Sequence, residues 1–188
     1  MPRLVATLIA TLLTTALGLV TVAAPAEAAL PTKKHWVSDV HDVMIGSRIY
    51  VGQRVAQNTT GRKLAINFDI DNTTLATHYQ LGAPVPYVKR FATYATGKHV
   101  TLLFNTGRLQ TRTGAAVRQL RAAGYTVGGI CGRSSASESL AHSKQRCRQK
   151  FIDRGYTLIA NVGNRSTDFT GTGYRRAYRL PSYGNQLG

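Results

Sequence analysis

The chain has 188 residues, and its 24 lysines and arginines against 8 acids give a formal charge of +16 at pH 7. This length suits one domain with a substantial core. The charge favours anionic partners such as cell-wall polymers, nucleic acid, phospholipid surfaces or phosphorylated substrates, without choosing among them; a solvated basic surface with no specific partner is the alternative.

Residues 1–28 are predicted to be a secretory signal peptide. One basic residue, Arg3, precedes a long apolar stretch, and the small-residue exit at 26–28 places cleavage before Ala29. A membrane anchor is the alternative, because roughly twenty apolar residues also have the length of a membrane span. No later stretch is apolar and long enough to cross a bilayer. A cleaved signal peptide implies a secreted, extracellular protein. In such a protein Cys131 and Cys147 could form one disulfide.

The N-terminal segment of the mature chain, residues 29–60, is predicted to be helical. Its apolar residues recur at loosely helical spacings from Trp36 to Val55, and the pattern stops at the turn-forming residues 58–61. We expect one or two amphipathic helices that pack on the main domain, residues 61–188.

The main domain alternates short apolar runs with helical patterns. The first strand is predicted to start at residue 64 and to end at the aspartates of 69–71. Further strands are predicted at 99–105, 125–130, 157–162 and 176–180, and helices at 87–96, 110–123 and 138–154. This order predicts an α/β fold, a Rossmannoid parallel sheet with helices on both faces. The short connections leave room for a minimal cap only. There is no P-loop and no Gly-rich dinucleotide loop, so nucleotide chemistry of those kinds is unsupported.

Polar residues follow three of these strands directly. Asp69 and Asp71 end the first strand, residues 106–108 follow the second, and residues 163–168 follow the fourth. The carboxyl ends of parallel strands share one edge of the sheet, where open α/β sheets bind ligands. The plainer interpretation is a loop with two solvated or helix-capping acids.

The sequence of these segments resembles the haloacid dehalogenase (HAD) superfamily of phosphohydrolases, and within it the class B-like secreted acid phosphatases of subfamily IIIB. Four segments match in order: 68–73 (FDIDNT), 104–108 (FNTGR), Ser143-Lys144 with Arg148, and 163–168 (GNRSTD). The resemblance covers roughly residues 61–170. It implies a Mg²⁺-dependent acid phosphatase that hydrolyses phosphomonoesters.

The resemblance also implies roles for individual residues. Asp69 would attack the phosphoryl group and become an aspartyl phosphate, while Asp71 would protonate the leaving group and then deprotonate water. Lys144 would neutralise charge on the nucleophile and the transferring group. The predicted catalytic residues are Asp69, Asp71, Thr106 and Lys144, and the predicted substrate-binding residues are Thr106, Gly107, Arg108 and Lys144, although Arg108 could equally be a structural ion-pair donor.

The resemblance further implies a Mg²⁺ site formed by Asp69, the Asp71 carbonyl, Asn164 and Asp168. Asn164 departs from the class B pattern, because it stands at the first acidic position of the loop. The loss of one negative charge should lower metal affinity. A similar loop occurs in lipin-type phosphatidate phosphatases of the same superfamily.

Two alternative functions follow from these features. The departure at Asn164 and the strong basicity are compatible with a catalytically weak HAD-fold protein that acts as a basic binding or storage protein on an anionic polymer. The loop resemblance is compatible with a lipid phosphatase. We expect no specific nucleic-acid site, and the oligomeric state stays open.

Overall fold

The computed structural model describes residues 29–187, so the predicted signal peptide lies outside the described part. Within that part, no helix has the length and apolar character needed to cross a membrane.

Two helices open the described chain, as the sequence predicts. Helix α1 spans Lys33–Met44 and begins where the Thr32 hydroxyl accepts a hydrogen bond from the His35 amide; helix α2 spans Ser47–Ala56. The fully buried Trp36 stacks on Tyr79, with 4.9 Å between ring centroids. Residues of α1 therefore belong to the main core and do not form a separate one.

Five parallel strands form a single sheet in the order β3-β2-β1-β4-β5. The strands are β1 (Lys63–Phe68), β2 (Thr101–Leu109), β3 (Gly129–Arg133), β4 (Tyr156–Gly163) and β5 (Arg176–Arg179). The helices that connect them are α3 (Pro86–Gly97), α4 (Thr113–Ala122) and α5 (Leu140–Asp153). The predicted α/β fold with a parallel sheet is confirmed. The connection from β1 to α3 contains two isolated bridges and no helix.

Two strand boundaries differ from the sequence-based expectation. Strand β2 continues through residues 106–108, because it pairs again with β3 at Leu109 and Arg133 after a shift in register. Strand β3 starts at Gly129 and not at Tyr125. At Gly128 the amide donates to the Leu102 carbonyl, and an added Cβ would lie 3.0 Å from that oxygen, so this approach requires glycine.

The core occupies both faces of the sheet. On one face, Leu64, Ile66 and Phe68 of β1 join a large cluster that includes residues of α1, α2, α3 and α4. On the other face, a smaller cluster surrounds Ala65 and Phe151 beneath α5. The alternation along β1 is that of a strand buried on both sides.

A disulfide ties the smaller cluster together. Cys131 of β3 and Cys147 of α5 are bonded, with 5.6 Å between their Cα atoms. The predicted disulfide is therefore present, and it holds α5 against the sheet.

Candidate active site

Asp69 and Asp71 lie where β1 ends and the chain turns. The Asp69 amide still donates to the Val162 carbonyl of β4 at 2.9 Å, so Asp69 keeps the direction of the strand. The next residues form a tight turn, in which the amides of 73–75 all donate to the Ile70 carbonyl. Asn72 adopts a positive φ of 54°, which asparagine tolerates better than most residues. The turn separates the two carboxylates and gives them different partners.

Lys144 of α5 joins two of the carboxylates. Its buried ammonium contacts Asp69 Oδ1, lies 2.7 Å from Asp168 Oδ1 and donates to the Asn105 carbonyl at 2.6 Å. Asn105 Nδ2 in turn donates to the Lys144 carbonyl at 2.8 Å. This exchange of hydrogen bonds between β2 and α5 fixes the lysine between the two aspartates.

Burial dominates the ionisation of this pair. Loss of water raises the pKa of Asp69; Lys144 opposes the rise, whereas Asp168 and Asp71 add to it. Burial by itself would lower the pKa of Lys144, but the charges of Asp69 and Asp168 raise it above its usual value. The two aspartates therefore favour the charged form of the lysine, and further positive charge would favour the ionised form of Asp69.

Asp71 has a different environment. Arg108 holds it with two hydrogen bonds, Nε to Oδ2 at 3.0 Å and NH2 to Oδ1 at 2.6 Å, and the Thr77 hydroxyl donates to Oδ1 at 2.8 Å. Burial raises the pKa of Asp71, but the hydrogen bonds and charge of Arg108, together with Thr77, bring it below its ordinary value. Asp71 is thus ionised while Arg108 is paired with it.

Asp168 is held in place by its own loop. Its Oδ2 accepts the backbone amides of Asn164 at 3.1 Å and Arg165 at 2.9 Å. An added Cβ at Gly163 would lie 2.5 Å from that same oxygen, so a glycine lets the carboxylate fold back over the end of β4.

The carbonyls of this loop are held by a fully buried arginine. Arg148 of α5 donates to the carbonyls of Asp168 at 2.7 Å and Thr172 at 3.1 Å, and also to that of Thr170. A buried amide pair adds to this support, since Asn67 donates to Asn161, which donates to the Asp168 carbonyl at 2.9 Å. The matched segments included Arg148, but sequence reasoning gave it no role.

Asn164 is engaged with another part of the chain. Its Nδ2 donates to the Leu187 carbonyl at 2.9 Å, and its Oδ1 accepts the Thr73 hydroxyl at 3.3 Å. Asn72 donates to the same Leu187 carbonyl at 2.8 Å. Because a carbonyl only accepts hydrogen bonds, its position fixes the orientation of both amides. The role of Asn164 as a metal ligand stays a prediction.

Two carboxylates of this site, Asp69 and Asp168, fit the binding of a divalent cation. No group of three or more histidine, cysteine or acidic side chains suited to a metal occurs among residues 29–187. However, the buried Asp168 Oδ1 has the Lys144 ammonium, at 2.7 Å, as its partner, and Lys144 shares its charge with Asp69. Hard oxygen donors of this kind suit Mg²⁺. Asp69 and Asp168 would hold such an ion.

A cavity of about 370 Å³ opens beside these residues. Among the predicted residues, Asp69, Asp71, Gly107, Arg108 and Lys144 line it, whereas Thr106, Asn164 and Asp168 do not. Thr106 is fully buried, and its hydroxyl accepts the Arg108 amide at 3.2 Å. Its contact with substrate stays a prediction.

Five further polar residues, to which the sequence assigned no individual role, line the cavity: Asn72, Thr77, Arg133, Arg165 and Thr167. Arg133 ends β3, so the rule of polar strand ends would have found it if the strand boundary had been placed correctly. Asn72, Arg165 and Thr167 lie in the matched segments 68–73 and 163–168, whereas no pattern in the sequence marks Thr77.

Comparison with known proteins gives a family and a fold. A family model described as HAD superfamily, subfamily IIIB (Acid phosphatase), matches residues 79–186, more than half of the chain, and this range begins after Asp69 and Asp71. No curated protein matches.

Two solved structures are similar in fold. The class C acid phosphatase from Bacillus anthracis has a TM-score of 0.62 and 16% identity, over 84% of this chain and 80% of that chain. The same enzyme with tungstate bound has a TM-score of 0.62 and 15% identity, over 84% and 81%.

Proposed function

The chain belongs to subfamily IIIB of the HAD superfamily, the acid phosphatases, and on that basis we propose that it is a secreted, Mg²⁺-dependent phosphomonoesterase that works through an aspartyl phosphate on Asp69. The observation that carries this proposal is the different pairing of two neighbouring aspartates. Asp69 contacts Lys144, whereas Asp71 is held by Arg108. Two carboxyl groups in different environments differ in pKa, so they can act in different steps of one reaction.

In the first half-reaction Asp69 is the nucleophile. One of its carboxylate oxygens attacks phosphorus, and the bond from phosphorus to the ester oxygen breaks. Asp71 transfers its proton to that oxygen, so the leaving group departs as a neutral alcohol. Lys144 balances the negative charge of the nucleophile and of the phosphoryl oxygens during attack.

Arg108 links substrate binding to the protonation of Asp71. In the free enzyme both of its hydrogen bonds to Asp71 keep that carboxylate ionised. A phosphate dianion competes for the same guanidinium, which binds phosphate through the same planar fork. When Arg108 moves to the phosphate, Asp71 loses a counter-charge and more readily carries the proton that the leaving group needs.

In the second half-reaction water replaces the alcohol. The Asp71 carboxylate removes a proton from this water, whose oxygen attacks phosphorus and breaks the bond to Asp69. The products are inorganic phosphate, a regenerated Asp69 carboxylate and a protonated Asp71. Asp71 releases this proton to solvent once phosphate departs and Arg108 pairs with it again, and it takes up a proton from solvent when the next substrate binds Arg108.

The superfamily generally uses a divalent metal, and the hard donors of Asp69 and Asp168 support Mg²⁺. When bound, the ion would supply positive charge for the phosphoryl oxygens and for the Asp69 carboxylate.

The lining of the cavity supports a polar phosphomonoester as substrate. Arg108, Arg133, Lys144 and Arg165 contribute four cations, and Leu140 is the aliphatic side chain among the lining residues. Such a lining favours a charged phosphate group on a polar alcohol over a phosphatidate.

Phosphate release from a panel of small monoesters tests the catalytic proposal. We expect activity that EDTA removes and Mg²⁺ restores, and a loss of about a thousandfold or more in Asp69→Asn. The exposed acid of α1 provides a matched control, since Asp42→Asn makes the same chemical change away from the site. Equal activity of Asp69→Asn and the control would overturn the proposal.

Secretion has its own test. We expect the protein exported from an expressing cell to begin at Ala29 when its N-terminus is sequenced. Recovery of the full-length chain in the membrane fraction would support the anchor instead.

A further inference from the structure

A second cationic surface lies at the amino ends of the strands, on the opposite side of the sheet from the ends that carry the aspartates. Two adjoining cavities, of about 240 and 570 Å³, share Asn58, Arg62 and Leu64. They lie at the amino ends of β1 and β4, whereas Asp69 follows the carboxyl end of β1. We call this surface the basic groove, and its cations are Arg54, Arg62, Lys63, Lys98 and Arg175.

Part of the groove is held in a defined shape. The Asn58 side chain accepts the Arg62 amide at 3.0 Å and donates to the Arg62 carbonyl at 2.9 Å, which closes the loop before β1. Arg175 is fixed through its own amide, which donates to the Leu158 carbonyl at 3.1 Å. The backbone at Arg62 and Arg175 is therefore held by contacts that do not involve the side chains of these two residues.

The charge of the groove is not neutralised by the protein. No acidic residue lines either cavity. Among the described residues, the lysines and arginines that form salt bridges are Arg108, Lys144 and Arg146, and none of these lies in the groove. Arg54 donates from NH1 to Gln57, but its buried Nε has no hydrogen-bond partner. An arginine nitrogen that is removed from water without a partner carries a desolvation cost that an anion would remove.

We propose that the basic groove binds an extended polymer of repeating phosphate groups. Three arginines line the smaller cavity, and guanidinium groups bind phosphate oxygens in pairs. The two adjoining cavities provide a length that a single phosphate would not fill. The groove would keep the enzyme on a phosphate-rich polymer while the catalytic cavity at the other edge stays open.

Binding of fluorescently labelled long-chain polyphosphate, measured by polarisation in EDTA, tests this inference. We expect the combined variant Arg54→Gln, Arg62→Gln and Arg175→Gln to bind about tenfold or more weakly than the wild type. The slope of log K against log salt should flatten by about two units, because three phosphate contacts are lost.

A control variant removes the same number of positive charges from helices outside the groove. Arg118→Gln, Arg121→Gln and Lys150→Gln replace exposed cations of α4 and α5 that line neither cavity. We expect nearly unchanged affinity. Equal loss in both variants would overturn the inference, because binding would then depend on net charge alone. Equally tight binding of polyglutamate by the wild type would overturn the assignment of phosphate.

The groove and the catalytic site are tested separately. We expect the groove variant to keep the wild-type kcat on a small monoester, since its residues lie at the opposite edge of the sheet from Asp69 and Asp71. Loss of polyphosphate binding with intact turnover would support the groove, whatever Asp69→Asn shows about the mechanism.

Discussion

At the scale of single residues, Arg108 joins Asp71 to the catalytic cavity. The same guanidinium pairs with Asp71, donates from NH1 to Gln119 at 2.6 Å and lines the catalytic cavity. In the proposed mechanism it would exchange Asp71 for a substrate phosphate.

Replacement of Arg108 should shift the pH dependence of the enzyme. Arg108 lowers the pKa of Asp71, so Arg108→Gln should raise it, and the protonated acid should persist to higher pH. We expect the alkaline limb of the kcat/KM profile, which reports the free enzyme, to move to higher pH. KM should rise about tenfold or more, because a charge-assisted contact with phosphate is lost.

The matched control for this prediction is Arg112→Gln, an exposed arginine in the short turn after β2. It should leave both the profile and KM unchanged. If Arg108→Gln raises KM but leaves the alkaline limb in place, Arg108 binds substrate without governing Asp71.

At the scale of elements, helix α5 holds several parts of the site in place, more than the sequence predicted for it. Lys144 contacts two aspartates, Cys147 bonds to β3, and Arg148 holds three carbonyls of the loop that contains Asp168. The helix begins at the Ser139 cap, where the side chain accepts the His142 amide at 3.2 Å. One helix therefore connects the second, third and fourth strands at their carboxyl ends.

Loss of Arg148 should weaken this connection. In Arg148→Met the carbonyls of Asp168, Thr170 and Thr172 lose a buried donor, and we expect the free energy of unfolding to fall by about 3 kcal/mol. Arg154→Met, at the exposed end of the same helix, should change it by less than about 0.5 kcal/mol. Urea unfolding of both variants measures the difference. Similar values would show that the buried contacts do not stabilise the loop.

The sequence predicted elements better than it predicted contacts. Apolar runs and helical spacing located all five strands and the helices α3, α4 and α5, and predicted one or two helices where α1 and α2 lie. Burial on both faces of a parallel sheet leaves a clear pattern for the strands. The limits of β2 and β3 were missed, since they depend on the pairing of Leu109 with Arg133 and on close packing at Gly128.

The same distinction holds in the site. Asp69, Asp71 and Lys144 belong to matched segments, and the structure brings them to one cavity. Thr77 reaches Asp71 from a loop, and the carbonyls bound by Arg148 depend on how another loop folds against α5. The sequence holds no local signal for either contact. Side chains that act on the backbone of another segment are set by tertiary structure.

At the scale of the whole molecule, residues 182–187 connect helix α1 to the catalytic loops. The Tyr183 hydroxyl donates to Asp39 of α1 at 2.5 Å, and burial raises the pKa of this tyrosine above its usual range. The buried Leu187 offers its carbonyl to Asn72 and Asn164. An aspartate at position 164 could not make this last contact, because a carboxylate does not donate to a carbonyl. Asparagine at this position therefore favours the docking of residues 182–187 at the expense of one negative charge beside Asp168.

This connection predicts two opposite effects of Asn164→Asp. In EDTA, the free energy of unfolding should fall by about 1–3 kcal/mol, because the donor to the Leu187 carbonyl is replaced by a charge. Amide hydrogen exchange in residues 182–187 should become faster. With Mg²⁺ added, the variant should gain more in Tm than the wild type, because a further carboxylate beside Asp69 and Asp168 strengthens cation binding.

The control is Asn185→Asp, which adds the same charge to an exposed position of the same segment, with a positive φ of 70° that aspartate also tolerates. It should change neither the stability in EDTA nor the response to Mg²⁺. If Asn164→Asp unfolds like the wild type in EDTA and leaves exchange in residues 182–187 unchanged, the Leu187 carbonyl does not depend on Asn164. A larger Tm response to Mg²⁺ with unchanged exchange would show instead that position 164 acts on the metal alone.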